Sequence, residues 1–219
     1  RGVDGVIVAC VDFEEEEVKE LLRSGIPVVT IDYIFNDKAC VMSDNIRGME
    51  QLVSYIIQCG HKKIAYIHGA DSFVTRSRIG SFLRTMKKYG IETEDRYIRE
   101  GIYHAPDVSA KITHELLSLE DRPTCIIYPD DFSCIGGINV IRSKGLSIPN
   151  DISVAGYDGQ RIARVIEPKI TTYRQNTEQI GRVAAAKLVE LIEQPELALV
   201  ERLDVQGELI RGCSVLSMK

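Results

Sequence analysis

Short apolar runs alternate with longer stretches in which apolar residues return every three or four positions. Val3–Cys10 is a continuous apolar run, the pattern of a strand buried on both faces. Asp12 with Glu15 three residues on has capping-box spacing and predicts a helix start, with Gly25 as its stop. Ile26–Ile31 is the next strand. Asp44 or Asn45 opens a helix that Gly60 ends, and Lys63–His68 is a strand. A helix over about 75–89 stops at Gly90. Tyr97–Gly101 reads as a strand, 109–118 as a helix, and Thr124–Tyr128 as a strand. Asp130 or Asp131 caps a helix to Lys144. Strands follow at Ser153–Tyr157 and Thr171–Arg174. Asn176 or Thr177 opens the last long helix, along which Ile180, Ala184, Leu188, Leu191 and Ile192 recur at helical spacing. The tail, Arg202–Gln206 and Glu208–Arg211, reads as an edge hairpin.

Alternating strands and helices predict an α/β fold with parallel sheets and helices on both faces. The strands are too many for one small sheet. Two doubly wound parallel-sheet lobes with a cleft between them fit the count, joined by short crossings, since no low-complexity linker marks a boundary.

Composition narrows the function. With 44% hydrophobic and 27% charged residues, the 219-residue chain can bury a core and stay soluble. No apolar run approaches the ~18 residues of a membrane span. The first residues read directly as a strand rather than a signal peptide, so no membrane partner and a cytoplasmic location are expected. Net charge is −5 and the cations are scattered, which makes this stretch a poor DNA grip by itself. The six cysteines form no C-x-x-C pair and read as small core residues of a reducing compartment. The four histidines lack metal-ligand spacing, so no metal and no cofactor are expected.

In open parallel sheets, ligands gather at the carboxyl ends of the strands. Asp32 and Tyr33 follow the second strand. Asp71, Ser72, Arg76 and Arg78 follow Lys63–His68. Asp130 and Asp131 follow Thr124–Tyr128, Asp158 follows Ser153–Tyr157, and Gln175 ends Thr171–Arg174. If these ends face one crevice, carboxylates, guanidinium groups and an amide converge, with Tyr33 and Phe35 as a stacking wall. That set suits a hydroxyl-rich solute, because each sugar hydroxyl both donates and accepts. Each member also has a plain alternative. Asp12 is a helix cap, one of Asp130 and Asp131 caps the following helix, Asp158 before Gly159 could shape a turn, and Arg76 could be a solvated helix residue.

The wording of several segments now becomes informative. They are Val3-Asp-Gly-Val-Ile-Val8, Gly25-Ile-Pro-Val-Val29 with Asp32, Asp44-Asn45 with Gly48, and Gly60-His-Lys-Lys-Ile-Ala-Tyr-Ile67. Arg76 and Arg78 before Phe82, Arg122-Pro-Thr124, Ile148-Pro-Asn-Asp-Ile-Ser-Val-Ala-Gly-Tyr-Asp158 and Thr171-Thr-Tyr-Arg-Gln175 follow in order. In this order and spacing the set resembles the effector-binding core of the LacI/GalR family of repressors, similar in fold to periplasmic sugar-binding proteins.

The resemblance implies a type I periplasmic-binding-protein-like fold. An incomplete N-terminal lobe would span 1–43 plus 175–203, and a C-terminal lobe 44–174 plus 204–219. The family's helix-turn-helix and its first two βα units, on the order of 50–60 residues at ~30 per unit, would lie outside this stretch. Ligand-contacting positions carry over to Asp32, Arg78, Asp130, Asp158 and Gln175, with Tyr33 and Arg76 added from the strand-end reading. The implied protein is no enzyme. It is a repressor that senses a sugar or related polyol, acts on DNA through the missing module, and forms a homodimer through the surface around Phe132–Lys144. A solute-binding receptor of a sugar transport system would share the fold. A phosphoryl-transfer receiver built on Asp12, Asp130 and Asp131 is disfavoured, since receivers hold one short sheet. One departure bears on the ligand. Pro129-Asp130-Asp131 stands where the family usually has Ala-Asn-Asp, so an amide becomes an acceptor-only carboxylate, which suggests a donor-rich ligand, polyhydroxylated or amino-bearing.

Overall fold

The computed structural model describes residues 2–9, 15–35, 38–196 and 201–218. Asp12, the expected first cap, and Cys10 lie outside the described residues. The chain divides into two compact units, 1–44 with 176–206, and 45–175 with 207–219.

The smaller unit carries a four-stranded sheet in the order β1-β2-β3-β9, formed by β1 (Val6–Ala9), β2 (Val28–Ile31), β3 (Ala39–Ser43) and β9 (Arg202–Val205). Every pairing in it is parallel. Helix α1 (Glu15–Arg23) links β1 to β2, and α7 (Thr177–Glu193) packs on the sheet. Ile180 and Ala184 of α7 meet Val29, Ala39, Val41 and Val205 in its core. The expectation that the first strand is buried on both faces is not met: of β1 only Val8 is buried, and Ile7 is 37% exposed. The reason is position, because among the described residues β1 is the last strand of the sheet, paired only with β2. Strand β3, which the apolar pattern did not announce, is buried throughout.

The larger unit carries a six-stranded sheet in the order β10-β8-β7-β6-β4-β5. Its strands are β4 (Ile64–His68), β5 (Ile98–Glu100), β6 (Cys125–Ile127), β7 (Ser153–Asp158), β8 (Thr171–Arg174) and β10 (Glu208–Ile210). All pairings are parallel except β10 against β8. The apolar runs are continuous because both faces are covered. Helices α2 (Asn45–Gln58) and α3 (Phe73–Lys88) pair with each other, and side chains from both join a core of Met49, Leu52, Ile56, Phe82, Tyr66 and Tyr157. The second core gathers α4 (Pro106–Leu117), α5 (Asp131–Ser143) and the short α6 (Ile162–Val165) around Ile126, Ile138, Val154 and Tyr128. Helices α4 and α5 approach so closely that a Cβ at Gly136 would lie 1.8 Å from the Pro106 carbonyl oxygen.

The tail corrects the sequence reading. Residues 202–205 and 208–210 do not form a hairpin with each other. β9 pairs in parallel with β3 in the smaller unit, and β10 pairs with β8 in the larger. The alternation and the intervening Gly207 were local signals, whereas the partner of each strand lies far away in sequence.

Candidate functional site

In the larger unit the chain passes from β4 out to β5 and then back to β6 on the other side of β4. This reversal is a topological switch point, where the loops at the strands' carboxyl ends diverge and leave room for a ligand. Three of the polar residues named from the sequence, Arg78, Asp158 and Gln175, form one connected group around the Arg78 guanidinium.

Arg78 lies in α3, whose first turn is fixed by Ser72. The Ser72 hydroxyl accepts the Thr75 N–H at 3.0 Å. Arg78 is 3% exposed. Its Nε donates to Asn45 Oδ1 at 2.8 Å and one terminal nitrogen to the Pro129 carbonyl at 3.3 Å. The guanidinium carbon sits 3.7 Å from the Tyr157 ring centroid and 5.8 Å from that of Tyr103. Its other terminal nitrogen stands 3.9 Å from Asp158 Oδ1. Burial works against the charge, but Tyr157, Tyr103 and Asp158 more than offset it, so Arg78 holds its proton more firmly than an ordinary arginine.

Asp158 ends β7 with φ 92°, a left-handed conformation that L residues rarely adopt. Gln175, the residue after β8, donates its amide Nε2 to Asp158 Oδ1 at 2.6 Å. Burial raises the Asp158 pKa above the usual carboxylate range, and Arg78 pulls against that rise. Arg78, Asp158 and Gln175 thus form one connected group of donors and acceptors. The Asp158 side chain keeps 19% of its surface accessible.

Asp130 and Asp131 divide the roles that the sequence left open. Asp130 is the cap of α5: its Oδ1 accepts the Ser133 N–H at 2.8 Å, and its Oδ2 accepts the Ser133 hydroxyl at 2.9 Å and the His104 N–H at 2.8 Å. It is fully buried, so it faces the protein with the acceptors that the sequence reading assigned to a ligand. What Asp130 holds is His104, a residue with φ 55° whose ring is 60% exposed and whose Nδ1 lies 3.6 Å from Asp130 Oδ1. Asp131 is also fully buried. Its Oδ2 accepts the Gln160 N–H at 2.6 Å, while its Oδ1 rests against Gly156, where a Cβ would lie 2.1 Å away. Burial pushes the Asp131 pKa up to about 7.

Arg76 is not gathered with this group. Both oxygens of the Asp71 carboxylate accept from its Nη1 at 2.8 Å, on an exposed surface. Two residues along a helix turn a side chain by about 200°, so Arg76 and Arg78 cannot face the same way. Asp32 and Tyr33 belong to the smaller unit. Asp32 follows β2 with φ 57°; its N–H donates to the Val41 carbonyl at 3.0 Å and its Oδ1 accepts the Ser43 N–H at 3.3 Å. Tyr33 and Phe35 bring their rings to 5.8 Å at 32°, the aromatic pair expected from the sequence.

Three residues of the group were not named from the sequence. Asn45 reads there as a helix start, Tyr157 as strand core, and His104 as loop. The available signal was their place, each at or beside a strand's carboxyl end or a helix's first turn.

Residues 53–215 match the family model described as periplasmic binding protein-like domain. Over 220 aligned residues the chain is 30% identical to the HTH-type transcriptional repressor PurR of Mannheimia succiniciproducens, covering 98% of this chain and 65% of that repressor. The chain therefore spans just under two thirds of that relative's length. Among solved structures, a regulatory protein of LacI family from Chloroflexus aggregans is 30% identical with a TM-score of 0.85, covering 97% of this chain and 76% of the other. The transcriptional regulator CelR–cellobiose complex is 27% identical with a TM-score of 0.89, covering 97% and 66%. By sequence match and by fold alike, this chain belongs to the LacI family and carries its periplasmic binding protein-like domain.

Proposed function

We propose that the chain is the effector-sensing part of a transcription regulator and that a small, hydroxyl-rich solute binds at the carboxyl ends of the larger unit's strands. The observation that carries the reading is the linked group of Arg78, Asp158 and Gln175. A buried guanidinium with spare N–H groups stands 3.9 Å from a carboxylate that keeps part of its surface open. A hydroxyl placed there accepts from Arg78 and donates to Asp158, while the Gln175 amide and the Tyr157 ring hold both in place. The cellobiose-bound neighbour supports a sugar as the ligand class. Asp130 acts through His104 and the α5 cap rather than by touching the solute. Asp32 and Tyr33 are further ligand contacts in this reading, and Arg76 is the weakest of the seven positions.

In the whole protein, effector binding favours one conformational state and so changes operator affinity through a helix-turn-helix module outside this stretch. The regulator acts in the cytoplasm as a homodimer joined around α5, where Phe132 is 43% exposed. Among the described residues no helix is long and apolar enough to cross a membrane. The relatives are regulators, and the group at the strand ends needs no catalytic role to be understood.

A thermal-shift screen with sugars, amino sugars and polyols, run on the parent chain and on Asp158→Ala, tests the site. A ligand that raises the parent's melting temperature is expected to lose that effect in the variant. A ligand that shifts both proteins equally would sink the assignment.

A further inference from the structure

A second groove lies in the larger unit, away from the strand ends. It measures about 560 Å³ and runs between α2, the end of α3 and strand β10. Its walls include Tyr55, Ser54 and Gln58 from α2, Tyr89 just after α3, and Leu209 and Arg211 along and just past β10. The volume is in the range of small-molecule sites, but such sites enclose most of their ligand. Here the walls are open, with Tyr89 41% exposed and Arg211 exposed. An open groove suits an occupant that brings hydrogen bonds of its own.

The neighbouring strand offers them. β10 ends the six-stranded sheet, paired with β8 on one side and with no further strand among the described residues on the other. A sheet edge beside a helix is the geometry in which an extended peptide adds as a further strand, its main chain bonding to the edge and alternate side chains entering the groove.

Charge then selects the occupant. Glu50 on the rim is neutralised by Lys88 at 2.8 Å, and Glu208 by Arg174. Among the described residues Arg211 has no carboxylate against it; its guanidinium carbon stands 5.1 Å from the Tyr55 ring centroid, held by the aromatic face with N–H groups left for another acceptor. Tyr55 and Tyr89 supply flat surfaces and Leu209 an apolar floor. We infer that the groove between α2 and the free edge of β10 is a docking site for an extended peptide strand of a partner protein, one carrying a carboxylate that pairs with Arg211.

Selection from a displayed library of random heptapeptides against the 219-residue chain tests this, with Arg211→Glu selected in parallel. The expected result is enrichment of peptides with Asp or Glu on the parent, at least tenfold weaker binding of those peptides to the variant, and amide chemical-shift changes at 208–211 on adding one synthetic winner. Melting of the variant at the parent's temperature confirms that the change is local. Absence of enrichment, equal binding to both proteins, or shift changes confined to the strand ends around Asp158 would each overturn the inference.

Discussion

Asp32 in the smaller unit and Asp158 in the larger one meet the same problem with different partners. Both stand at the carboxyl end of a parallel strand in the left-handed region, Asp32 just after β2 at φ 57° and Asp158 as the last residue of β7 at φ 92°. Asp32 draws on main chain: the Val41 carbonyl takes its N–H, and the Ser43 N–H, at the end of the adjacent strand, donates to its side chain. The Asp158 carboxylate is held by side chains, an amide at 2.6 Å and a buried guanidinium at 3.9 Å. Main-chain support comes with the fold and depends little on residue identity. Side-chain support must be encoded residue by residue, and a single substitution can remove it. His104 joins these two as the third described non-glycine residue with positive φ, also beyond a strand end, and strain of this kind concentrates where ligands are handled.

The contrast predicts unequal responses. Removing the guanidinium in Arg78→Ala strips Asn45, Pro129 and Asp158 of a buried partner and should cost about 3–5 kcal/mol in urea unfolding. Asp32→Ala, which loses the long hydrogen bond from Ser43 and places alanine at positive φ, should cost about 1–2 kcal/mol. Equal losses would erase the distinction between the two kinds of support.

Asp131 gives the next largest effect, and it depends on pH. Its folded pKa of about 7 lies above the ordinary carboxylate value near 4, so the fold favours the protonated form. Its favourable contribution is complete below pH 4 and is lost as pH rises through 7. Asp131→Asn should therefore be more stable than the parent at pH 8.5, on the order of 1–3 kcal/mol, and close to it near pH 4. Urea midpoints at the two pH values measure this, and a constant offset would show that burial of Asp131 is not the cause. The smallest effect belongs to Asp32→Gly. Relief of the positive φ offsets the lost side-chain bond, leaving stability within about 1 kcal/mol of the parent. A large loss would mean that the Asp32 side chain carries more than the main chain beside it.

Much of the architecture was legible because it rests on local chemistry. The apolar runs at 64–68, 125–127 and 153–158 became strands covered on both faces, and Gly25, Gly60, Gly90 and Gly145 all take the positive φ of a helix stop. Of the two candidate starts of the last helix, Asn176 and Thr177, Asn176 is the cap: its side chain accepts the Gln179 N–H at 3.1 Å. Strand β3 escaped because Ala39-Cys-Val-Met-Ser43 has neither alternation nor a β-branched run, and only burial between β2 and β9 makes it a strand. The tail was misread because pairing partners are a long-range property. At the site, strand-end position picked out Arg78, Asp158 and Gln175. Position could not show that Asp130 spends its oxygens on Ser133 and His104, since a cap and a ligand contact use the same residue types in the same place.

The chain leaves each unit and returns: the smaller comprises 1–44 and 176–206, the larger 45–175 and 207–219. During synthesis, β3 is made some 160 residues before the β9 that lies beside it, Cys40 waiting for Arg202. The larger unit can assemble its five parallel strands while the smaller sheet still lacks its outermost one. A nascent chain thus carries an unfinished sheet edge at β3 while some 160 further residues are made, an edge that closes only when Val205 has left the ribosome.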